Sequence, residues 1–247
     1  MTVVFITGVG KGIGRALTEA YLARPGYTVI GSVRDKADPK YQDLRSHPAA
    51  SGSKLILVSI EAASQTDPKT AVEELRAAGI DHVDIAIANA GISPPAAPLE
   101  AAAIKDVEEA FRINTVAPLV LFQVLKPLLD AAKAPKWVSI SSAVGSITNI
   151  DTFGLYPFGA YGISKAGLNW ITAAVHNGNK NYVAVAVHPG LVQTEMGNEG
   201  ARAMGLEKAP VSLDDVVQRL LPFVDGATRE KTSGKFFNLD DGSEFAY

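Results

Sequence analysis

Short, β-branched apolar runs alternate along the whole chain with longer stretches of helical periodicity. The pattern predicts strands over 3–7, 28–33, 54–60, 84–89, 136–141 and 182–188, with a short last one over 235–238. It predicts helices over 14–24, 68–78, 104–130, 160–176 and 212–224. Pro118 and Pro127 are expected to kink or break the long 104–130 helix, because proline has no N–H to donate. Ser212 is placed to cap the last helix, with Asp214 and Asp215 favourable in its first turn. Residues 35–53 and 197–210 read as loops, the second a glycine- and alanine-rich candidate lid.

The strands are continuous apolar runs, which implies burial on both faces. Strand–helix alternation of this kind predicts an α/β fold. The expectation is one doubly wound Rossmann-type domain over 1–247, its parallel sheet of about seven strands covered by helices on both sides. No internal repeat or low-complexity linker interrupts it.

Composition narrows the function classes. The 247 residues are 47% hydrophobic and 20% charged, enough for a substantial core. The net charge of −3 gives no basic surplus for nucleic acid or an anionic membrane. Without cysteine there is no disulfide or thiolate metal site. His47, His82, His176 and His188 lack ligand-like spacing, so no metal is expected. Residues 1–7 lack a basic leader and reach Gly8 too soon for a signal core, and no uninterrupted apolar run approaches the ~20 residues of a span. A cytoplasmic protein with no membrane partner is the expectation.

Candidate chemistry begins after strand one, where Thr7 leads into Gly8, Gly10, Lys11, Gly12, Ile13 and Gly14. Ligands in such folds bind at the carboxyl ends of the strands. Glycines there let the backbone turn sharply and approach a pyrophosphate, whose charge the helix N-terminus favours. The spacing is Thr-Gly-x-x-x-Gly-Ile-Gly rather than Gly-x-Gly-x-x-Gly. Further along stand Asn89-Ala90-Gly91, Asn114, Ser142-x-x-Gly145, Tyr161-x-x-x-Lys165 and Pro189-Gly190-x-x-x-Thr194. This ordered set resembles the short-chain dehydrogenase/reductase family over nearly the whole chain. In pattern it is closest to sniffer-type carbonyl reductases and fungal norsolorinic acid ketoreductases.

That resemblance implies an oxidoreductase moving hydride between nicotinamide and a ketone or aldehyde, with residues 1–135 holding cofactor and 136–247 carrying catalysis and substrate. Tyr161 would be the proton donor and Lys165 would hold the nicotinamide ribose. Ser142 would bind the substrate oxygen, and Asn114 would hold a water linking Lys165 to solvent. Ile60, Asn89, Ala90, Gly91, Pro189, Gly190, Val192 and Thr194 would complete the cofactor site, although Thr194 is also a candidate helix N-cap. Asn89 acts through its backbone or shapes the strand end. Homodimers or homotetramers, built in the family through the long helix and the Tyr161 helix, are implied as well. Phe111, Val116, Leu119, Phe122 and Leu125 are the candidate face.

The residues themselves support parts of this. Tyr161 and Lys165 lie one turn apart on a single helix face. A phenol titrates near ~10, and a neighbouring ammonium is expected to lower that value toward working pH. Val33 occupies the end of strand two, where NAD sites carry a carboxylate, and Arg34 follows it. With Lys11, Arg34 favours the 2′-phosphate of NADP(H), unless Asp35 pairs with it.

Departures from the family pattern are Ser59 in place of an aspartate, Ala88 in place of an asparagine, and a longer interval between Ser142 and Tyr161. The interval includes Phe153, Leu155, Tyr156 and Phe158, which either line an apolar or aromatic substrate pocket or pack the loop. A non-catalytic nucleotide sensor of the same fold is the alternative. It is disfavoured by the presence of Ser142, Tyr161 and Lys165. A nucleotide-sugar epimerase is disfavoured by the glycine spacing.

Overall fold

A computed structural model describes residues 1–247. The chain runs β1 (Thr2–Thr7), α1 (Gly12–Leu22), β2 (Tyr27–Val33), α2 (Gln42–Arg45), β3 (Lys54–Ser59), α3 (Asp67–Ala77) and β4 (Ile85–Ala88). It continues through α4 (Ile104–Phe111), α5 (Ala117–Asp130), β5 (Lys136–Ile140), α6 (Gly159–Gly178), β6 (Val183–His188), α7 (Glu195–Ala203), α8 (Leu213–Gly226), β7 (Phe236–Asn238) and β8 (Glu244–Phe245). The sheet order is β3-β2-β1-β4-β5-β6-β7-β8. All pairings are parallel except β7 with β8. The order reverses between β1 and β4, which opens a crevice at their carboxyl ends.

Two cores explain the unbroken apolar strands. Phe5, Ile30, Ala86, Trp137 and Ala184 point to one face, under Leu125, Leu129, Ile171 and Val175 of α5 and α6. Their neighbours Val4, Val29, Ile85, Val138 and Val185 point to the other, under Leu17 and Tyr21 of α1 and Leu220 and Val224 of α8. Alternate residues therefore enter opposite cores, and the alternation vanishes from the sequence. Ser212 caps α8 as expected: its Oγ accepts from Asp215 N at 3.0 Å, and the Asp215 carboxylate accepts from Ser212 N at 3.1 Å.

Four expectations are corrected. The sheet has eight strands; β8 is two residues long, too short for a pattern. The 35–53 stretch holds a 3-10 turn, Pro39–Tyr41, and α2. Residues 197–210 are not wholly loop, since α7 occupies much of them. Gly197 serves packing: a Cβ there would lie 1.9 Å from the Val192 carbonyl oxygen. Finally, neither proline breaks the 104–130 helix. Pro118 sits in the first turn of α5 after a π turn over Arg112–Val116, and Pro127 lies inside α5.

Ile104–Asp130 is long and apolar enough to cross a membrane by length and composition. In the fold it lies on the sheet, with Leu121, Leu125, Leu128 and Leu129 in the core. The face proposed for subunit contact is divided. Leu125 is buried and Phe122 packs edge-on against Trp137 at 5.3 Å, whereas Phe111 and Leu119 are exposed beside Ile163 and Trp170 of α6.

Candidate active site

Thr7 ends β1 and clasps β4 across the crevice. Its hydroxyl accepts from the main-chain N–H groups of Asn89 and Ala90, both at 2.9 Å. The Asn89 side chain returns the clasp, donating to Thr7 O at 2.8 Å. The Asn89 side chain therefore helps shape the strand end. The loop between β1 and α1 turns through Gly8 and Gly12, both at positive φ (72° and 59°), where side chains are strained. Gly14 closes the cradle from below, since a Cβ there would meet Gly8 O at 2.4 Å. Gly10 lies against the Tyr41 ring, and Gly12 faces the Thr194 methyl. Ile13 packs on Val192, which follows the Pro189-Gly190 turn.

Cations stand at two points of this crevice. Arg34, at the end of β2, is exposed and makes no hydrogen bond or ion pair; Asp35 accepts from Ala37 N instead. Lys11 is paired with Glu195, the first residue of α7. Thr194 caps α7, accepting from Gly197 N at 2.9 Å, so its capping role is realised. Ser59 accepts from Lys36 N, and Ile60 N donates to Val33 O at 2.8 Å, which leaves only the Ile60 carbonyl for a ligand contact.

The candidate catalytic groups converge at the other side. Ser142 follows β5, and its hydroxyl lies close to that of Tyr161. Lys165 is 4% exposed; its Nζ donates to Ile140 O at 2.9 Å and lies 5.5 Å from the centre of the Tyr161 ring. Ser141 is excluded as a rival to Ser142, because its Oγ donates to Asn169 Oδ1 at 2.6 Å inside the core. Gly145 is needed for approach: a Cβ there would lie 2.8 Å from Lys165 main-chain carbon. Asn114, fully buried in the π turn, accepts from Ile92 N and donates to Ile92 O and to Ser164 Oγ, at 2.8, 2.8 and 2.9 Å. Both of its side-chain N–H donors are thus used, and its Oδ1 already accepts one bond. Pro118 does deprive the Asn114 carbonyl of its i+4 donor. Ser164, Thr7, Tyr41 and Glu195 are the site residues that sequence reasoning missed. Only Thr7, beside the glycines, carried any signal.

The titration expected for this pair is modified. Burial pushes the Tyr161 phenol up to about 12, opposed by the hydrogen bond from Ser142. Burial likewise pushes the Lys165 ammonium down to about 8. Desolvation is the largest cause of both shifts.

A cleft of about 330 Å³ is walled by residues 93–96, Phe158, and Glu199, Gly200 and Ala203 of α7; Phe158 stands three residues before Tyr161, which does not itself line it. Of the four apolar residues weighed in the 146–158 loop, only Phe158 lines it. Leu155 is buried, Tyr156 is largely exposed, and Phe153 packs on Phe245 at 5.6 Å. A second cleft, beside Leu55 and Leu57 of edge strand β3, holds none of these groups.

Comparison with known proteins identifies the family. The chain is 49% identical over 246 residues to the short-chain dehydrogenase srdF of Neurospora crassa, covering 98% of this chain and 96% of that one. It is 39% identical over 250 residues to the norsolorinic acid ketoreductase nor1 of Dothistroma septosporum, covering 100% and 92%. Its fold superposes on an NADPH-bound carbonyl reductase from chicken fatty liver with a TM-score of 0.86 at 27% identity, covering 100% and 94%. The family model for short chain dehydrogenases matches residues 2–204, and the chain belongs to that family.

Proposed function

We propose that the protein is an NADP(H)-dependent ketoreductase acting on an apolar or aromatic ketone. The observation that carries the reading is the convergence of Ser142, Tyr161 and Lys165 at the mouth of a glycine cradle whose strand-two end presents a free Arg34. The cradle fits a dinucleotide: its glycines leave backbone bare where a Cβ would intrude, and Lys165 Nζ lies 3.6 Å from where a Gly91 Cβ would stand. Gly8, Gly12 and Gly14 would hold the pyrophosphate, Arg34 the 2′-phosphate and Lys165 the ribose. When bound, NADPH supplies hydride to the carbonyl carbon.

The chain's own groups handle the oxygen. Ser142 Oγ and Tyr161 Oη hydrogen-bond the carbonyl, and Tyr161 gives it the proton. The phenolate left behind faces the Lys165 ammonium. At 5.5 Å to the ring centre that attraction is worth roughly 3 kcal/mol with an effective dielectric of about 20. The ammonium therefore stabilises the phenolate, provided it is charged. Asn114 is a positioning residue that ties Ile92 to α6 through Ser164.

Ketone substrates are favoured because the chain resembles the norsolorinic acid ketoreductase at 39% identity. Homo-oligomers are proposed through the exposed Phe111, Leu119, Ile163 and Trp170. Light scattering after gel filtration is expected to give a multiple of 26.0 kDa that falls toward one copy in Trp170→Glu. A wild-type mass of one copy would remove the proposal.

Tyr161→Phe is expected to lower kcat for ketone reduction by at least ~10²-fold. NADPH affinity, read by fluorescence titration, should stay within about twofold. Surviving turnover would take Tyr161 out of its role. Arg34→Asp should weaken NADPH roughly 10–100-fold, the worth of a charge-assisted contact, while leaving NADH nearly unchanged. Equal loss of both would show that Arg34 does not meet the phosphate.

Reduction needs a neutral phenol and a charged lysine. The phenol stays protonated to about 12, so the lysine sets the limit. At saturating NADPH, kcat for reduction is expected to be flat near neutrality and to fall as pH rises through about 8. A rate that holds to pH 10 would show that the ammonium is dispensable.

A further inference from the structure

The 146–158 loop separates Ser142 from Tyr161, and it has little regular structure of its own. Segment 244–247 grips its near end. Ser146 Oγ donates to Ala246 O at 2.6 Å, and Thr148 donates to Tyr247 O from both its main-chain N, at 3.2 Å, and its Oγ1, at 2.8 Å. The Phe153 ring packs on Phe245 at 5.6 Å. Phe245 is itself fixed from below, stacked on His188 at 6.1 Å and edge-on to Phe236 at 5.4 Å. Strand β8 pairs only with β7, so its place in the sheet serves mainly to hold this segment against the loop.

The far end of the loop reaches the cleft. Backbone bonds run Phe153 N to Asn149 O, Leu155 N to Ile150 O, and Phe158 N to Leu155 O, at 3.1, 3.0 and 3.1 Å. Gly162 N then donates to Phe158 O at 2.7 Å, which joins the loop to the first turn of α6 beside Tyr161. The loop's hydrogen bonds to sequence-distant residues all end on Ala246 and Tyr247, alongside the bridge of Phe158 to Ala97. A displacement at Phe153 is therefore passed along hydrogen-bonded turns to Phe158, a wall of the cleft.

We infer that segment 244–247 is a clasp that fixes the substrate loop, with Phe245 as a positioning residue that sets which ketones the cleft accepts. The inference takes its substrate class from the ketoreductase reading above. Phe245 touches neither the proton donor nor the cofactor cradle. Its effect should fall on KM for a ketone large enough to need the Phe158 wall, and not on the chemical step.

The test compares wild type, Phe245→Ala and Phe245→Tyr with a compact aryl methyl ketone and a fused-ring polycyclic ketone. Phe245→Ala is expected to raise KM for the polycyclic ketone about tenfold or more, while kcat for the compact ketone and NADPH affinity stay near wild type. Phe245→Tyr, which keeps the ring, should restore the wild-type ratio. Equal changes on both ketones, or a lowered melting temperature with an unchanged KM ratio, would overturn the clasp. Chymotrypsin supplies a readout independent of turnover. Cleavage after Phe153 or Leu155 should be faster in Phe245→Ala than in wild type, and unchanged cleavage also overturns the clasp. If wild type reduces neither ketone, the ketoreductase reading fails, and the cleavage result still judges the clasp.

Discussion

An amine held out of water at the base of the crevice has to be enclosed without being neutralised, and the structure around Lys165 is organised by that requirement. Desolvation alone draws its pKa down to about 8, so the ammonium survives at neutral pH only by a narrow margin. One main-chain carbonyl, Ile140 O at the end of β5, accepts from it. No carboxylate approaches. A carboxylate would hold the charge more firmly but would also cancel the field that the phenol needs. Keeping a lone amine there demands that α6 approach β5 closely, and Gly145 permits it.

The same demand accounts for the polar seam beneath α6. Thr115 Oγ1 donates to Ser164 O, Asn114 donates to Ser164 Oγ, Ser141 donates to Asn169, and Ser139 bonds Thr172. These contacts lie on successive turns of one helix face, with Lys165 among them. A helix packed only by leucines could slide by a fraction of a turn at small cost. Buried hydrogen bonds cannot, because each unmet partner costs about 1–3 kcal/mol. The seam therefore fixes the register of Tyr161 against Ser142, which apolar packing would leave loose.

How much of this could be read from the chain follows from where each feature keeps its signal. The parallel sheet was legible because strands buried on both faces become unbroken apolar runs, and Tyr161 with Lys165 because helical spacing is local. Helix α7 was hidden because Gly197 looks like flexibility and is really close packing against Val192 O. Strand β8 was hidden by its two-residue length. The tuning of the pair was misjudged for a different reason. Sequence shows that an ammonium stands near a phenol, but how dry the place is depends on Ile140, Gly145 and Gly91 converging from distant parts of the chain. Asn114 was read as the holder of a water, whereas its side chain bonds Ile92 and Ser164, a partnership that no local spacing announces.

The two cations of the crevice were read alike from sequence and differ in the fold. Lys11 is shared with Glu195 and so ties the glycine loop to α7, whose residues wall the cleft. An exposed pair of this kind is worth little, about 0–1 kcal/mol, so a dianionic phosphate could compete for the lysine at small cost. Arg34 has no such partner and can offer a full fork of donors. Selection for an extra phosphate should therefore rest on Arg34. Lys11 stands where the glycine loop and α7 touch, so loss of its ion pair would be felt by the cleft before it was felt by the sheet.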